Sequence, residues 1–252
     1  MPHGPSQSLL LGLLAALFVA AFLASLLVGP AGLPLSTAFQ ALFSNENPAA
    51  ALVMREIRMP RAILAALIGG TLGLTGAVLQ GFLRNPLADP NILGISSSAA
   101  LGAVLVIYTG LSATFALALP LAAMAGALLA VMVIYTLSGS HAGTLTLILA
   151  GLAISTFAGA MTTLVLNLSP NPYAALEIVY WMLGSLTDRS WTHVLLAAPF
   201  IVVGSLLLAL SARALDALTL GADVVASLGI DLPRTRTLIV LGAAMAVGAA
   251  TA

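Results

Sequence analysis

The chain alternates long apolar runs with short polar interruptions. No charged residue falls within 8–28, 114–137, 144–168 or 191–212, and within 61–82 the only one is Arg61 at its start. A shorter run covers 94–108, and a last one begins near Thr237 and continues to the chain end. About 20 apolar residues as a helix cross the roughly 30 Å hydrocarbon core of a bilayer. The pattern therefore predicts about seven spans. The runs are long and lack a two-residue alternation, so they read as helices and not as barrel strands. Gly69, Gly73 and Ala77 repeat at four-residue spacing on one face of the second span, which lets helices approach closely in lipid. Gly and Ala are abundant throughout, and that abundance accounts for part of this pattern. The expected fold class is all-α, a polytopic transmembrane helix bundle. The first run exceeds the apolar core of a signal peptide and has no basic residue before it, so it reads as a retained span.

Polar residues gather in a few places. Arg55, Glu56, Arg58 and Arg61 enter the second span, and Arg84, Asn85 and Asp89 leave it among Pro86 and Pro90. Asn85-Pro86 and Asp89-Pro90 have the composition of a rigid, capped turn. The 94–108 run would form about 22 Å of helix, short of the bilayer core. Either it lines a cavity, or the helix starts earlier, near Ile92, and packs inside the bundle. A short loop covers 138–143. Residues 171–190 carry Tyr173, Tyr180 and Trp181 and predict an interfacial helix, with Asn171-Pro172 as cap and first turn. The longest polar stretch is 213–236. Within it Leu215 and Leu218, then Val224, Val225 and Leu228, recur at helical spacing, and Thr219-Leu220-Gly221 separates the two groups. This predicts two short amphipathic helices with a turn at Gly221, whose apolar stripe needs another surface to cover it.

Composition narrows the function classes. Hydrophobic residues make up 61% of the 252, charged residues 6%, and the net charge is zero. Eight arginines and eight acids, with no lysine, cannot clothe a water-soluble surface, so lipid is the expected solvent. No basic patch suggests nucleic acid. Cysteine is absent, which excludes disulfides and thiolate metal sites. Arginines divide four against four between the two sides of the predicted spans, so charge alone leaves the orientation open.

Catalytic chemistry finds little support. Gly94-Ile95-Ser96 has the Gly-x-Ser spacing of an intramembrane serine protease, which needs a histidine on a neighbouring helix. His141 falls in a loop and His193 at a span edge on the other side, so the serines read as helix caps. Scattered histidines and the lack of a mid-span acid pair leave no metal site. None of the acids lies deep in a span, and Glu177 sits in the interfacial segment. Carriers driven by protons or sodium bury an ionisable residue mid-span. Energy is therefore expected from a partner ATPase, with a secondary carrier or a non-transporting membrane scaffold as alternatives.

Several motifs carry a resemblance. Arg58-Met59-Pro60-Arg61 is followed by Gly76-Ala77-Val78-Leu79-Gln80-Gly81, by Arg84-Asn85-Pro86-Leu87-Ala88-Asp89-Pro90 and by Ile92-Leu93-Gly94-Ile95-Ser96-Ser97. Further on stand Leu147-Ile148-Leu149-Ala150-Gly151, Trp181-Met182-Leu183-Gly184-Ser185-Leu186, Leu215-Asp216-Ala217-Leu218-Thr219-Leu220-Gly221 and Ala226-Ser227-Leu228-Gly229-Ile230. In this order they resemble the FecCD-type permeases, the iron-siderophore, haem and vitamin B12 uptake permeases of type II ABC importers. The Asn-Pro-Leu-Ala-Asp-Pro block and the upstream Arg-x-Pro-Arg are the specific parts. Ser98 stands where the family usually has Gly, so the helix approach there is expected to differ. The family pattern runs on beyond Ala252, to about ten spans in all, and so implies a C-terminally truncated chain.

The resemblance implies a multi-pass permease of the bacterial inner membrane, a single domain over 1–252. It pairs with a second permease copy around a central path. A cytoplasmic ABC ATPase, which binds the ATP, and an extracytoplasmic binding protein complete the complex. The chain itself is expected to have no catalytic residues, cofactor or metal. Arg58 and Arg61, otherwise readable as interfacial snorkelling residues, would dock the binding protein. Gln80, Asn85, Pro86, Asp89, Pro90 and Gly94 would form a structural turn beside the path. Thr144 would lie at the cytoplasmic gate, although a helix cap explains it equally well. The 213–233 segment would couple to the ATPase through Asp216, Leu218, Gly221, Leu228 and Gly229. The implied topology puts the N-terminus, 84–89, 138–143 and 213–236 in the cytoplasm, with Arg58, Arg61 and 171–190 outside. Among the substrates, Arg84-Asn85-Pro86 is closer to siderophore members.

Overall fold

The apolar runs become helices. The computed structural model describes residues 5–115, 117–138, 144–169, 172–221, 225 and 227–252. No strand occurs among the described residues. Among the described residues, five helical stretches are long and apolar enough to cross a membrane: Gln7–Leu27, Pro48–Leu83, Ala118–Leu137, Leu145–Asn167 and Trp191–Leu218. The two remaining predicted spans are Ile95–Tyr108, of 14 residues, and Leu232–Thr251, which carries Arg234 and Arg236 near its start.

The chain divides into two compact units, Met1–Ala66 with Leu186–Leu195, and Leu67–Ser185 with Leu196–Ala252. In the first, helix α1 (Pro5–Leu27) presents nearly all its side chains outward, since only 6% of Gln7–Leu27 is buried. Such a surface is stable in lipid and not in water. Helix α2 (Leu35–Phe43) and helix α3 (Pro48–Leu52) follow. Asn47 caps α3 by accepting from Ala50 N at 3.1 Å, with Pro48 at the first helical position, where its missing N–H costs nothing. The helix then widens into a π turn over Val53–Arg58 and continues as α4 (Met59–Leu83), so the predicted second span starts well before Arg61. Leu26, Ala38, Ala41, Ala50, Met54 and Ala62 form this unit's core.

In the second unit, α4 ends in a turn that enters a 3-10 segment (Pro90–Leu93) and helix α5 (Ile95–Tyr108). Helices α6 (Leu111–Thr114), α7 (Ala118–Ser138), α8 (Thr144–Asn167) and α9 (Pro172–Leu183) follow. Helix α10 (Trp191–Leu210), which starts in the first unit, leads to α11 (Ala212–Leu218) and α12 (Leu232–Thr251). The core runs through Leu79, Leu93, Ile95, Ala99, Ala103, Ala127, Ile134, Leu147, Leu208, Ile239 and Val247. Helix α5 lies inside this core, so the short run packs within the bundle. It does not start near Ile92: Pro90–Leu93 is a separate 3-10 segment, and Gly94, in the left-handed region, breaks it from the helix. Helix α9, of 12 residues, is too short to cross; it buries Ile178 against Val104 and Ile107 and exposes Tyr173 and Tyr180, as an interfacial helix should. Its expected cap, Asn171, lies outside the described residues, and so does 139–143 of the predicted loop, with His141. The polar 213–236 stretch is partly helical: α12 starts at Leu232 because Asp231 accepts from Arg234 N at 2.9 Å and Pro233 occupies the first turn.

Glycine decides where backbones meet. A Cβ on Gly102 of α5 would stand 2.2 Å from Ala122 O of α7, and one on Gly126 of α7 would stand 2.2 Å from Ser98 O of α5. The pairing is antiparallel, with Ser98 opposite Gly126 and Gly102 opposite Ala122. At Ser98 the two backbones approach closely, with the glycine on the facing helix. Gly204 of α10 and Gly242 of α12 meet in the same way, each within 3 Å of the other's carbonyl oxygen once a Cβ is added. By contrast, nothing lies within 4 Å of a Cβ on Gly69 or Gly73. Four-residue spacing places small residues on one face, but a neighbour must supply the approach.

Candidate functional site

The π turn aims two arginines at two helix ends. Every helix leaves its last carbonyls without intrahelical donors, and a cation there also meets the negative end of the dipole. Arg58 Nη1 donates to Leu27 O at 2.7 Å and to Leu26 O at 3.3 Å, closing the C-terminus of α1. Arg55 Nε donates to Ala41 O and Leu42 O, both at 3.1 Å, and its Nη2 to Ser44 O at 3.3 Å, closing α2. Trp191 Nε1 in turn donates to Arg55 O at 2.9 Å. Gly29 leaves room for the Arg58 fork, since a Cβ there would lie 3.0 Å from Cζ.

This placement separates the two arginines of the expected docking pair. Arg58 is 7% exposed, and its fork points into the protein because two carbonyl ends need it. A docking role needs the fork at the surface, and Arg58 does not offer it. Arg61 is half-buried, and its buried Nε has no hydrogen-bond partner. Arg58 Nη2 is likewise buried without a partner, so the two differ in exposure: Arg61 is half-buried where Arg58 is buried.

The turn after α4 is held by its own polar groups. Gln80 Nε2 donates to Pro86 O at 3.0 Å, and Asn85 Oδ1 accepts from Leu87 N at 2.9 Å. Asp89 caps the 3-10 segment by accepting from Asn91 N at 2.8 Å, with Pro90 next in line. Gly94 adopts φ +70° and would clash with Gly151 O at 2.9 Å if it carried a Cβ. Gly151 itself sits on Ile92 O, and Ser155 Oγ donates to Asn91 O at 3.1 Å, so α8 rests on this turn. Gln80, Asn85, Pro86, Asp89, Pro90 and Gly94 thus come together as one small structure. Thr144 opens α8, and its side chain lies outside what is described.

In the predicted coupling segment, α11 is present and ends at Leu218 with Thr219 as its C-cap, and Gly221 at φ +116° lies just beyond. Leu218 is buried with Ala217 and Val225 against Phe82, Leu215, Ile230 and Leu232. Asp216, Leu220, Leu228 and Gly229 are exposed, Gly229 at φ +72°. The segment's apolar residues therefore divide, with Leu218 turned to its own bundle and Leu220 and Leu228 turned outward. Most of the second predicted helix, including Asp223, Val224 and Ala226, lies outside the described residues. Sequence reasoning missed the capping arginines; the only signal was their position near helix ends, and nothing in spacing says which end. No cluster of metal-ligating side chains occurs among the described residues.

The fold and these segments define a class, a multi-pass helical membrane protein. The sequence profile of the FecCD transport family matches residues 17–252, and the chain belongs to that family. It is 36% identical to the ABC transporter permease protein YvrB of Bacillus subtilis over 85% of this chain and 62% of that one. It is 40% identical to the cobalamin import system permease protein BtuC of Halobacterium salinarum over 80% of this chain and 54% of that one. To the ferric enterobactin transport system permease protein FepD of Escherichia coli it is 35% identical over 96% and 72%. The chain thus spans 54–62% of the length of the first two relatives. A solved inward-facing structure of a metal-chelate type ABC transporter superposes with a TM-score of 0.79 at 29% identity, over 97% of this chain and 75% of that chain.

Proposed function

We propose that this chain forms the membrane path of an ATP-driven importer for an iron chelate, haem or cobalamin in a bacterial inner membrane. The observation that carries the reading is the superposition on an ABC transporter over 97% of the chain. The named uptake systems of its relatives supply the substrate classes. On this reading the chain is one permease domain that pairs with a second copy. ATP hydrolysis lies in a cytoplasmic ATPase, which the 213–233 segment meets through Asp216, Leu220, Leu228 and Gly229. Gly221 supplies the left-handed turn that segment needs. Thr144 stands at the cytoplasmic gate, and the turn from Gln80 to Gly94 borders the path.

The test is reconstitution of the chain with its ATPase and binding protein in proteoliposomes. ATP-dependent accumulation of a ferric siderophore, haemin or cobalamin is expected. Failure of the ATPase to co-purify, or uptake that follows a proton gradient and not ATP, would sink the proposal.

Docking falls to Arg61, whose planar fork pairs a carboxylate through two parallel bonds. Arg61→Glu is expected to weaken binding-protein association about tenfold at low salt. The loss should shrink at high salt, because exposed charges are screened beyond about 10 Å at 0.1 M. Equal affinity of mutant and wild type at both salt concentrations would remove Arg61 from docking.

A further inference from the structure

Arg84 is an unusual residue for the conformation its position takes. It directly follows the last residue of α4 and takes φ +49°, the only positive φ of a non-glycine among the described residues. Glycine or asparagine is the ordinary choice at such a helix end, because a Cβ is strained in the left-handed region. What the arginine contributes is its side chain. Arg84 Nη2 donates to Leu218 O, the last carbonyl of α11. That oxygen also accepts from Gly221 N at 3.1 Å, so the guanidinium and the chain reversal close the same helix end.

Apolar contacts run beside this bond. A Cβ on Gly81 would lie 3.7 Å from Leu215 Cδ2, and Phe82 packs with Leu215 on the Ala217, Leu218 and Val225 cluster. On its other side the end of α4 is held by the turn: Asn85 N donates to Gln80 O at 3.2 Å and Gln80 binds Pro86 O. The turn leads to Gly94 and so to the surface on which α8 rests. Leu220, just beyond the capped end, is exposed.

We infer that Arg84 is the positioning residue that makes α11 and the end of α4 move as one, carrying displacement of the coupling segment into the turn before α5. This rests on the proposed ATPase-coupling reading of 213–233. The charge-assisted bond supplies the stiffness, and the left-handed backbone directs the fork at Leu218 O.

The test uses the chain in its reconstituted complex and reads substrate taken up per ATP hydrolysed. Arg84→Gly suits the left-handed backbone and removes the whole side chain, fork included. It is expected to leave complex assembly and hydrolysis near wild type while uptake per ATP falls about tenfold, the factor that one charge-assisted hydrogen bond makes in a local equilibrium. Arg84→Lys, which keeps a charged donor, should recover part of the ratio. Independently, spin labels at Leu87→Cys and Leu220→Cys, both exposed positions in a chain without cysteine, should give a narrow distance distribution that broadens in Arg84→Gly. An unchanged uptake ratio or an unchanged distance distribution overturns the inference. Arg84→Asn keeps the left-handed turn if Arg84→Gly does not assemble. Failure of both to assemble would assign the contact to folding and overturn it as well. A wild-type complex that hydrolyses no ATP defeats the coupling reading itself, a separate outcome that the label distances do not share.

Discussion

Gly126→Val is expected to prevent α5 from packing on α7. The first added carbon would lie 2.2 Å from Ser98 O, 2.9 Å from Ser98 C and 3.3 Å from Ala99 Cα. These are backbone atoms, so no rotamer change relieves the clash, and the helices must separate by an ångström or more. Separation also breaks the neighbouring contact at Gly102 and opens the buried layer of Ala99, Ala103, Ala123 and Ala127. Overpacking of a well-filled core costs about 1–3 kcal/mol, and an immovable backbone puts this case at about 3 or more. The expected result is a large drop in the unfolding temperature measured in detergent, with Gly126→Ala showing a smaller one. Gly159→Ala on α8 is the control, because nothing lies within 4 Å of a Cβ there. That exchange should be neutral or stabilise by up to about 1 kcal/mol through helix propensity. A Gly126→Ala protein as stable as Gly159→Ala would refute the packing argument.

Arg58→Leu is expected to loosen the end of α1. The substitution removes both hydrogen bonds to Leu26 O and Leu27 O and leaves those carbonyls without a donor. Hydrogen bonds to a charged group contribute about 1.5–3 kcal/mol, and a cation at a partly buried helix C-terminus up to about 2. A loss of about 2 kcal/mol is the combined expectation, since these are two descriptions of one interaction. Hydrogen exchange of backbone amides from Ala24 to Leu33 should accelerate, with Arg58→Lys intermediate. Arg61→Leu should leave the same amides unchanged. Equal protection in Arg58→Leu and wild type would show that another group closes α1. The pair of substitutions thus separates a structural arginine from the candidate docking one three residues on.

Composition and local spacing were enough to set the solvent, the long helices and the Asp89 cap, but the serines expected to cap α5 lie inside it, and Gly94 takes its N-cap with no side-chain bond. Sixty-one per cent hydrophobic residues and eight scattered charges of each sign require lipid as solvent, and in lipid the backbone must satisfy itself, which makes helices of the long runs. Caps are local too. The Asp89 carboxylate has its donor only two residues away, so the Asp89-Pro90 turn is legible in the linear order of residues, and the fold contains it. The family order of motifs rests on the same linear information, and it identified the permease class.

Which of several equivalent groups meets a distant partner was settled by tertiary structure alone. Arg58 and Arg61 are alike in sequence context, yet the π turn sends Arg58 to a carbonyl 31 residues earlier and leaves Arg61 half-buried, the more exposed of the two. Gly73 and Gly126 both sit in apolar helices, but only Gly126 has a backbone against it. Arg84 and Leu218 are 134 residues apart and joined by one hydrogen bond. Periodicity reports which residues share a face. It carries no term for what stands opposite that face, because the contact depends on how separate segments of the chain are brought together.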